Sequence, residues 1–182
     1  EKRNALNSEL LLALRQEFAR LKTDSSIKVI ILEANGKAFC AGADLAYLRE
    51  VSKFSAMENL ADSQLLQETF HEMYTSPKPV IAKVHGAAIA GGCGLASVCD
   101  IVIAAKNGGK FGYSEVKIGF IPAVVMVYLL RKIGDTRARR LLLSAESISS
   151  QEAERLGLVT YCVEDDQLES ATNSIAQTLS GN

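Results

Sequence analysis

Residues 89–100 read IAGGCGLASVCD, and this stretch decides the fold because glycines interrupt its apolar run. Each of Gly91, Gly92 and Gly94 would weaken a helix or a strand by roughly 0.5–1 kcal/mol relative to alanine. So many glycines in one turn indicate that the backbone itself has a role here. That role is either tight packing or the close approach of a ligand to the main chain.

One pattern occurs twice in the chain: a strand, a loop of small residues and the start of a helix. KAFCAGADL (residues 37–45) follows an apolar, β-branched segment, and AAIAGGCGLA (residues 87–96) follows another. Such loops leave backbone N–H groups unpaired at a helix N-terminus, where the helix dipole favours negative charge. Both loops are therefore candidate anion-binding corners, with tight packing of helix against strand as the alternative.

Segments with strand and helix periodicity alternate along the chain. Strands are predicted at residues 28–34, 79–86, 101–105 and 159–163. A first helix, with Asn7 or Ser8 as its cap, has apolar residues every three or four positions from Leu10 to Leu21. Further helices are predicted at residues 43–51, 57–75, 95–99, 123–133, 136–143, 149–156 and 166–179. This alternation predicts an α/β fold.

Composition excludes several classes of function. The chain has 182 residues, 48% of them apolar, which suits one globular domain with a sizeable core. A net charge of −1 and scattered basic residues argue against a nucleic-acid partner. The longest apolar run, residues 121–130, is shorter than the roughly 20 residues that cross a bilayer, so no membrane partner is expected.

The cysteine and histidine pattern bears on metal binding and compartment. The four cysteines form no C-x-x-C pair, and with only His71 and His85 available there is no zinc-ligand spacing. We therefore expect no metal, and reduced thiols in a cytoplasmic protein. The chain begins at Glu1, and we expect its extreme N- and C-terminal segments to be missing from this single domain, residues 1–182.

A dinucleotide-binding fold is the competing interpretation of the glycine stretch. Residues 92–97 nearly match the G-x-G-x-x-G/A fingerprint. The acid that should follow the next strand is absent, and Glu115 lies beyond a further glycine-containing loop. Binding of NAD or FAD is therefore disfavoured.

A single carboxylate stands out in KFGYSEVKIGFIPA, residues 110–123. Glu115 lies among apolar and glycine residues, where lost hydration would raise its proton affinity towards that of a general acid/base. A capping or surface role is the alternative for this residue.

Four motifs in order, FCAGADL, IAGGCGLASVCD, FGYSEVKIGFIPA and ISSQEAERLGLV, resemble the enoyl-CoA hydratase/isomerase (crotonase) family. The resemblance runs from Arg3 to the C-terminal helix. It implies a crotonase-like (ClpP/crotonase) α/β fold, in which repeated ββα units form a superhelix and C-terminal helices serve oligomerisation. It also implies a homotrimer or homohexamer that acts on an acyl-CoA substrate, with coenzyme A as part of that substrate and no separate cofactor.

The resemblance also assigns site residues. The backbone N–H groups of Ala43 and Gly91 would form an oxyanion hole for the thioester carbonyl, and Glu115 would be the catalytic acid/base. Substrate and coenzyme A contacts are assigned to Arg3, Ala5, Ala41, Asp44, Leu45, Gly92, Ser114, Gly119 and Ile121.

The chain departs from the family pattern at one catalytic position. Hydratases of the family carry two glutamates, and the first of these positions is Gly94 here. Glu115 alone favours isomerisation of a 3-enoyl-CoA to a 2-enoyl-CoA. Two alternatives stay open: hydration of an enoyl-CoA or methylglutaconyl-CoA with bound water or a second acid such as Glu58 or Asp62, and a non-catalytic acyl-CoA-binding role.

Overall fold

The computed structural model describes residues 3–181, apart from the side chain of Leu45. These residues form eight short strands, and all of them contribute to two four-stranded sheets. The strands are β1 (Ile30–Leu32), β2 (Ala38–Cys40), β3 (Val80–Val84), β4 (Ala87–Ile89), β5 (Ile101–Ala105), β6 (Lys110–Gly112), β7 (Ser147–Ser149) and β8 (Tyr161–Val163).

The first sheet has the order β1-β3-β5-β8 and is parallel throughout. Its members are the four predicted strands, so those predictions are confirmed, although β1, β3 and β8 are shorter than predicted. Parallel strands buried on both faces consist of continuous apolar, β-branched runs, which is why this sheet could be recognised from sequence.

The second sheet has the order β2-β4-β6-β7, with only the β6–β7 pair antiparallel. Its strands were not predicted, because each has three residues and three of the four lie inside segments interpreted as loops. Three residues give no readable alternation of apolar and polar side chains.

Eight α-helices complete the described chain. They are α1 (Ser8–Thr23), α2 (Leu45–Val51), α3 (Ala56–Tyr74), α4 (Gly91–Val98), α5 (Ala123–Ile133), α6 (Asp135–Ser144), α7 (Ser150–Leu156) and α8 (Leu168–Ser180). The predicted helices are confirmed within about two residues at most ends, and Asn7 is the cap of α1, accepting from the Leu10 N–H at 2.9 Å. No described helix is both long and apolar enough to traverse a bilayer.

The repeated unit is a strand in each sheet followed by a helix. β1 and β2 precede α2, β3 and β4 precede α4, and β5 and β6 precede α5. This is the ββα repeat of the crotonase-like α/β fold. Because β2, β4 and β6 are parallel, their carboxyl ends lie at one edge of the second sheet. Ala43 follows the end of β2, Gly91 that of β4 and Glu115 that of β6, each by two or three residues.

The predicted start of α4 is wrong. The helix begins at Gly91 rather than Leu95, so the glycines lie in its first turn and not in a loop. A Cβ on Gly92 would lie 2.2 Å from the Cys40 carbonyl oxygen, and one on Gly94 would lie 2.4 Å from Val125 Cγ1. Tight packing of α4 against β2 and α5 therefore accounts for these two glycines, as the alternative interpretation held.

The main core lies between the two sheets and the helices, and includes Phe70, Met73, Phe111 and Tyr113. A second, smaller cluster lies where α8 covers the first sheet. Four residues there are fully or almost fully buried: Ile81, Ile103, Ala105 and Leu168.

Gly92→Ala is expected to destabilise the fold because its new methyl group would meet backbone atoms of β2, which cannot rotate away. Overpacking of this kind costs about 1–3 kcal/mol or more of the free energy of unfolding. Gly181→Ala is the matched control, since a Cβ there meets only ordinary contacts at 3.6 and 3.7 Å. Urea denaturation of both variants measures the difference, and equal midpoints would contradict the packing account.

Candidate active site

Two loops meet where β2 and β4 end. Gly42 has φ +85°, and a Cβ at this residue would lie 2.8 Å from the Ile89 carbonyl oxygen and 2.9 Å from Ala90 Cβ. Its ideal Cβ position is also only 3.6 Å from the Gly91 nitrogen. Glycine is therefore required at position 42 both by the backbone angle and by the contact between the loops.

The Ala43 N–H lies between two hydrogen bonds that fix its surroundings. The Leu6 N–H donates to the Gly42 carbonyl at 2.7 Å, and the Asp44 N–H donates to the Leu6 carbonyl at 3.2 Å. Within the described chain, the Ala43 N–H itself has no backbone or side-chain acceptor. It is available to a ligand.

The Gly91 N–H is the first donor of α4. Its helix position gives it no acceptor within the helix, and none is found elsewhere among residues 3–181. The preceding residue, Ala90, has φ 53° and ψ −123°, a conformation that costs an alanine about 1–3 kcal/mol. Such strain is typical of functional sites, and here it lies in the residue that sets the direction of the Gly91 N–H.

A cleft of about 780 Å³ opens in front of these two donors. This volume is within the usual range of sites for small ligands. Of the residues assigned to substrate from the sequence, the cleft is lined by Arg3, Ala5, Ala41, Ala43, Asp44, Gly91, Ser114, Glu115 and Ile121.

Two of the assigned residues are placed differently, and a third is not described at its side chain. Gly92 is buried against Cys40 and Gly119 ends a 3₁₀ turn with φ 75°, and neither is among the described residues that line the cleft. The side chain of Leu45 lies outside the described residues. Their roles in binding stay predictions, although the packing of Gly92 explains its glycine without a ligand.

Glu115 begins the 3₁₀ turn Glu115–Ile118 and faces the cleft. Burial raises the pKa of its carboxyl, more than the backbone N–H groups of Glu115 and Ser114 lower it. Its Oε2 atom is buried without a hydrogen-bond partner among the described residues. A partly desolvated carboxylate with one oxygen unpaired is suited to accept a proton from a bound molecule.

The position of the family's first glutamate is filled by neighbouring side chains. A Cβ on Gly94 would lie 2.4 Å from Val125 Cγ1 and 2.9 Å from Phe70 Cε2. A longer side chain cannot enter here unless α5 and α3 move. The packing therefore excludes a second acid at position 94.

The α3 helix does bring one acid to the cleft. Asp62 lines it and accepts a hydrogen bond from the Tyr47 hydroxyl, which in turn contacts Ser8 Oγ at 2.9 Å. Glu58, the other acid considered from the sequence, instead forms a capping box with Ser55 at the start of α3.

From the sequence, Glu58 and Asp62 of α3 were considered, and no role was assigned to the other α2 and α3 residues that line the cleft. Asn59, Asp62, Ser63 and Leu66 line the cleft with spacings of three and four residues, which is one face of a helix. That spacing was a readable signal. Tyr47, Leu48 and Val51 of α2 also line the cleft.

Three cysteines and His85 lie in surroundings that indicate packing or hydrogen bonding and not catalysis. Burial raises the pKa of Cys40 to about 11 and those of Cys93 and Cys99 to about 12, which keeps these thiols protonated. His85 Nε2 lies 2.8 Å from the Gly36 carbonyl oxygen. Cys40, Cys93 and Cys99 therefore serve packing, and His85 holds the backbone at Gly36.

Comparison with known proteins gives consistent results. The model of the enoyl-CoA hydratase/isomerase family matches residues 1–182. A Thermus thermophilus protein is 45% identical over 159 residues, which are 87% of this chain and 62% of the relative. Crotonyl-CoA hydratase of Syntrophomonas wolfei is 38% identical over 95% of this chain and 66% of its own length.

Solved structures agree with the sequence comparisons. The crystal structure of a Legionella pneumophila protein superposes with a TM-score of 0.96 at 44% identity, covering 100% of this chain and 70% of that one. The chain thus belongs to the enoyl-CoA hydratase/isomerase family, as its four motifs indicated. It spans less than two thirds of the length of the Thermus relative and 66% of the Syntrophomonas relative.

Glu115→Gln is expected to stabilise the protein at neutral pH. Burial raises the pKa of Glu115 in the folded protein above its pKa in the unfolded chain. The wild type is therefore most stable at a pH below the unfolded-state pKa, where Glu115 is protonated, and it loses stability as the pH rises through the folded-state pKa. Glutamine cannot ionise, so the melting temperature of the variant should exceed that of the wild type at neutral pH, with the gap closing at acidic pH.

The control is Glu9→Gln, which makes the same change at an exposed residue of α1. Melting curves at both pH values test the account. A wild type that gains stability relative to Glu115→Gln as the pH rises would show the pKa shift to have the opposite sign.

Proposed function

We propose that the cleft binds an acyl-CoA thioester, with the carbonyl oxygen between the N–H groups of Ala43 and Gly91 and the α-carbon beside Glu115. One observation carries this proposal. Two backbone donors without a partner among residues 3–181, and one partly buried carboxylate, follow the ends of three neighbouring parallel strands and line one cleft. Ligands of parallel α/β sheets bind at this edge.

The arrangement suits chemistry through an enolate. Removal of a proton from the α-carbon places negative charge on the thioester oxygen, where both N–H groups would donate. A single donor of this type is worth about 2.7–4 kcal/mol of transition-state stabilisation. The raised pKa of Glu115 brings its basicity nearer to that of a catalyst working at neutral pH.

Isomerisation of a 3-enoyl-CoA to a 2-enoyl-CoA is the reaction that one carboxylate can complete. Glu115 would take a proton from C2, the double bond would move from C3–C4 to C2–C3, and the same carboxyl would return the proton to C4. The packing around Gly94 supports this proposal, because it leaves no space for the second glutamate.

Hydration of a 2-enoyl-CoA is the second candidate. Asp62 supports it, since a second carboxylate in the cleft could hold the attacking water. The name of the Syntrophomonas relative, crotonyl-CoA hydratase, also favours it. In this reaction Asp62 would take one proton from the water as its oxygen bonds to C3, and the protonated Glu115 would deliver its proton to the α-carbon.

Coenzyme A would extend along Arg3, Ala5, Ala41, Asp44 and Leu45. Arg3 is exposed at the cleft and could supply positive charge to a phosphate. Assembly as a homotrimer or homohexamer and a cytoplasmic location stay predictions.

The absorbance of the conjugated enoyl thioester separates the two reactions. Given a 3-enoyl-CoA, the protein is expected to raise this absorbance as the double bond moves into conjugation. A fall in absorbance with a 2-enoyl-CoA would instead demonstrate hydration. Binding of both thioesters without any change would leave only a non-catalytic acyl-CoA-binding role.

Glu115→Gln is expected to abolish turnover and preserve binding of the thioester, because the amide keeps the shape of the side chain but cannot take up the proton. Loss of a general acid/base typically lowers kcat by about 10²–10⁴-fold. Steady-state rates and calorimetric titration with the same thioester measure the two effects, with Glu9→Gln as the control. Full activity of Glu115→Gln would refute the assigned role.

A further inference from the structure

A buried tyrosine lies just before the proposed catalytic glutamate and faces α4. Tyr113 is 1% exposed, and its hydroxyl oxygen is 3.0 Å from Ser97 Oγ. Ser97 Oγ donates to the Cys93 carbonyl at 2.8 Å, so its single proton is already engaged. The Tyr113 hydroxyl is therefore the donor to Ser97.

This chain of donors continues through the first turn of α4. Cys93 C=O and Gly94 N–H belong to one peptide group, and the Gly94 N–H donates to the Ala90 carbonyl at 3.0 Å. The Ala90 carbonyl shares the next peptide group with the Gly91 N–H. The hydrogen bonds thus run in one direction, from the Tyr113 hydroxyl to the Gly91 N–H that faces the cleft.

We infer that Tyr113 is a positioning residue that acts through Ser97 and two peptide groups on the Gly91 N–H, aligning it and strengthening it as a donor to the substrate oxygen. This inference rests on the proposed function of the cleft. It assigns Tyr113 a role through α4 instead of a direct contact with Glu115 or with substrate.

The surroundings favour such coupling. Ser97 is 3% exposed and Cys93 is fully buried, so water does not compete for these hydrogen bonds. In a chain of bonds each peptide group that accepts at its carbonyl becomes a better donor at its N–H, by perhaps about 10–30% per bond. The polarisation has the same direction as the helix dipole, which also makes the N-terminus of α4 positive.

The network also joins both parts of the proposed site. The Ala90 N–H donates to the Gly112 carbonyl at 2.8 Å, and Gly112 is the last residue of β6. Ala90 is therefore held from β6 on one side and from Gly94 on the other. Since β6 leads through Tyr113 to Glu115, one set of buried bonds fixes the donor and the acid/base relative to each other.

Nuclear magnetic resonance of the ligand-free protein tests the relay directly. The chain has 13 glycines, so glycine-selective ¹⁵N labelling gives a simple spectrum. Tyr113→Phe is expected to move the amide proton resonances of Gly94 and Gly91 upfield, as weaker hydrogen-bond polarisation requires, and to leave those of Gly36 and Gly181 in place. Unchanged resonances of Gly94 and Gly91 would overturn the relay, whatever the cleft binds.

Kinetics test the consequence for turnover. Tyr113→Phe is expected to lower kcat about two- to eightfold with little change in KM. A single oxyanion donor contributes about 10²–10³-fold to kcat, and the relay is expected to supply about 10–30% of the corresponding free energy. Tyr128→Phe is the matched control, because it also removes one hydroxyl from a buried tyrosine, on α5 and away from the cleft. Equal kcat for the two variants would overturn the effect on catalysis.

Ser97→Ala provides a second route if Tyr113→Phe folds poorly. It breaks the same relay one step later, so it should reproduce the loss in kcat, and the double variant should lose no more than Ser97→Ala alone. Additive losses would show that the two hydroxyls act separately and would contradict the relay. Failure of the wild type to bind or turn over any acyl-CoA would instead refute the proposed function, while the amide resonances still report on the relay.

Discussion

The close approach of α4 to β2 at Gly92 is the constraint on which the site depends. With 2.2 Å between a Cβ at Gly92 and the Cys40 carbonyl oxygen, only glycine allows the helix to sit this near the strand. The same approach brings the Gly91 nitrogen next to the Gly42 loop, and thus next to Ala43. Two backbone donors from distant parts of the chain are brought together by this packing and by the Leu6 hydrogen bonds, and neither donor is a side chain.

The site combines several features that disfavour folding. Ala90 adopts a strained backbone conformation, two N–H groups lack acceptors within the described part of the chain, and Glu115 is partly buried with its Oε2 atom unpaired. Each is tolerated because neighbouring hydrogen bonds and core contacts hold it, as at Leu6, Gly112 and Gly94. Such local costs, concentrated in one cleft, are typical of a preorganised site and support an enzymatic over a structural role for the cleft.

Much of this organisation could be predicted from sequence. The long apolar runs gave the first sheet, and helical periodicity gave most helices, because burial on a continuous face leaves a readable pattern. The second sheet could not be predicted, because three-residue strands such as Ala38–Cys40 show no periodicity. The start of α4 could not be predicted either, because its glycines are required by contacts with Cys40 and Val125 that exist only in the folded protein. Glu115 was identified as a lone acid, whereas the Tyr113 relay depends on distances that no local spacing encodes.

Exchange of α-protons tests the central claim, the cooperation of the two donors with Glu115, without depending on which reaction follows. A saturated acyl-CoA incubated with the protein in deuterium oxide can neither isomerise nor be hydrated, but an enolate-forming site will exchange the proton on its α-carbon. Mass spectrometry of the recovered thioester should show deuterium uptake with the wild type and none above background with Glu115→Gln. Uptake that persists in the variant, or a wild type that binds the thioester tightly without any exchange, would contradict the account.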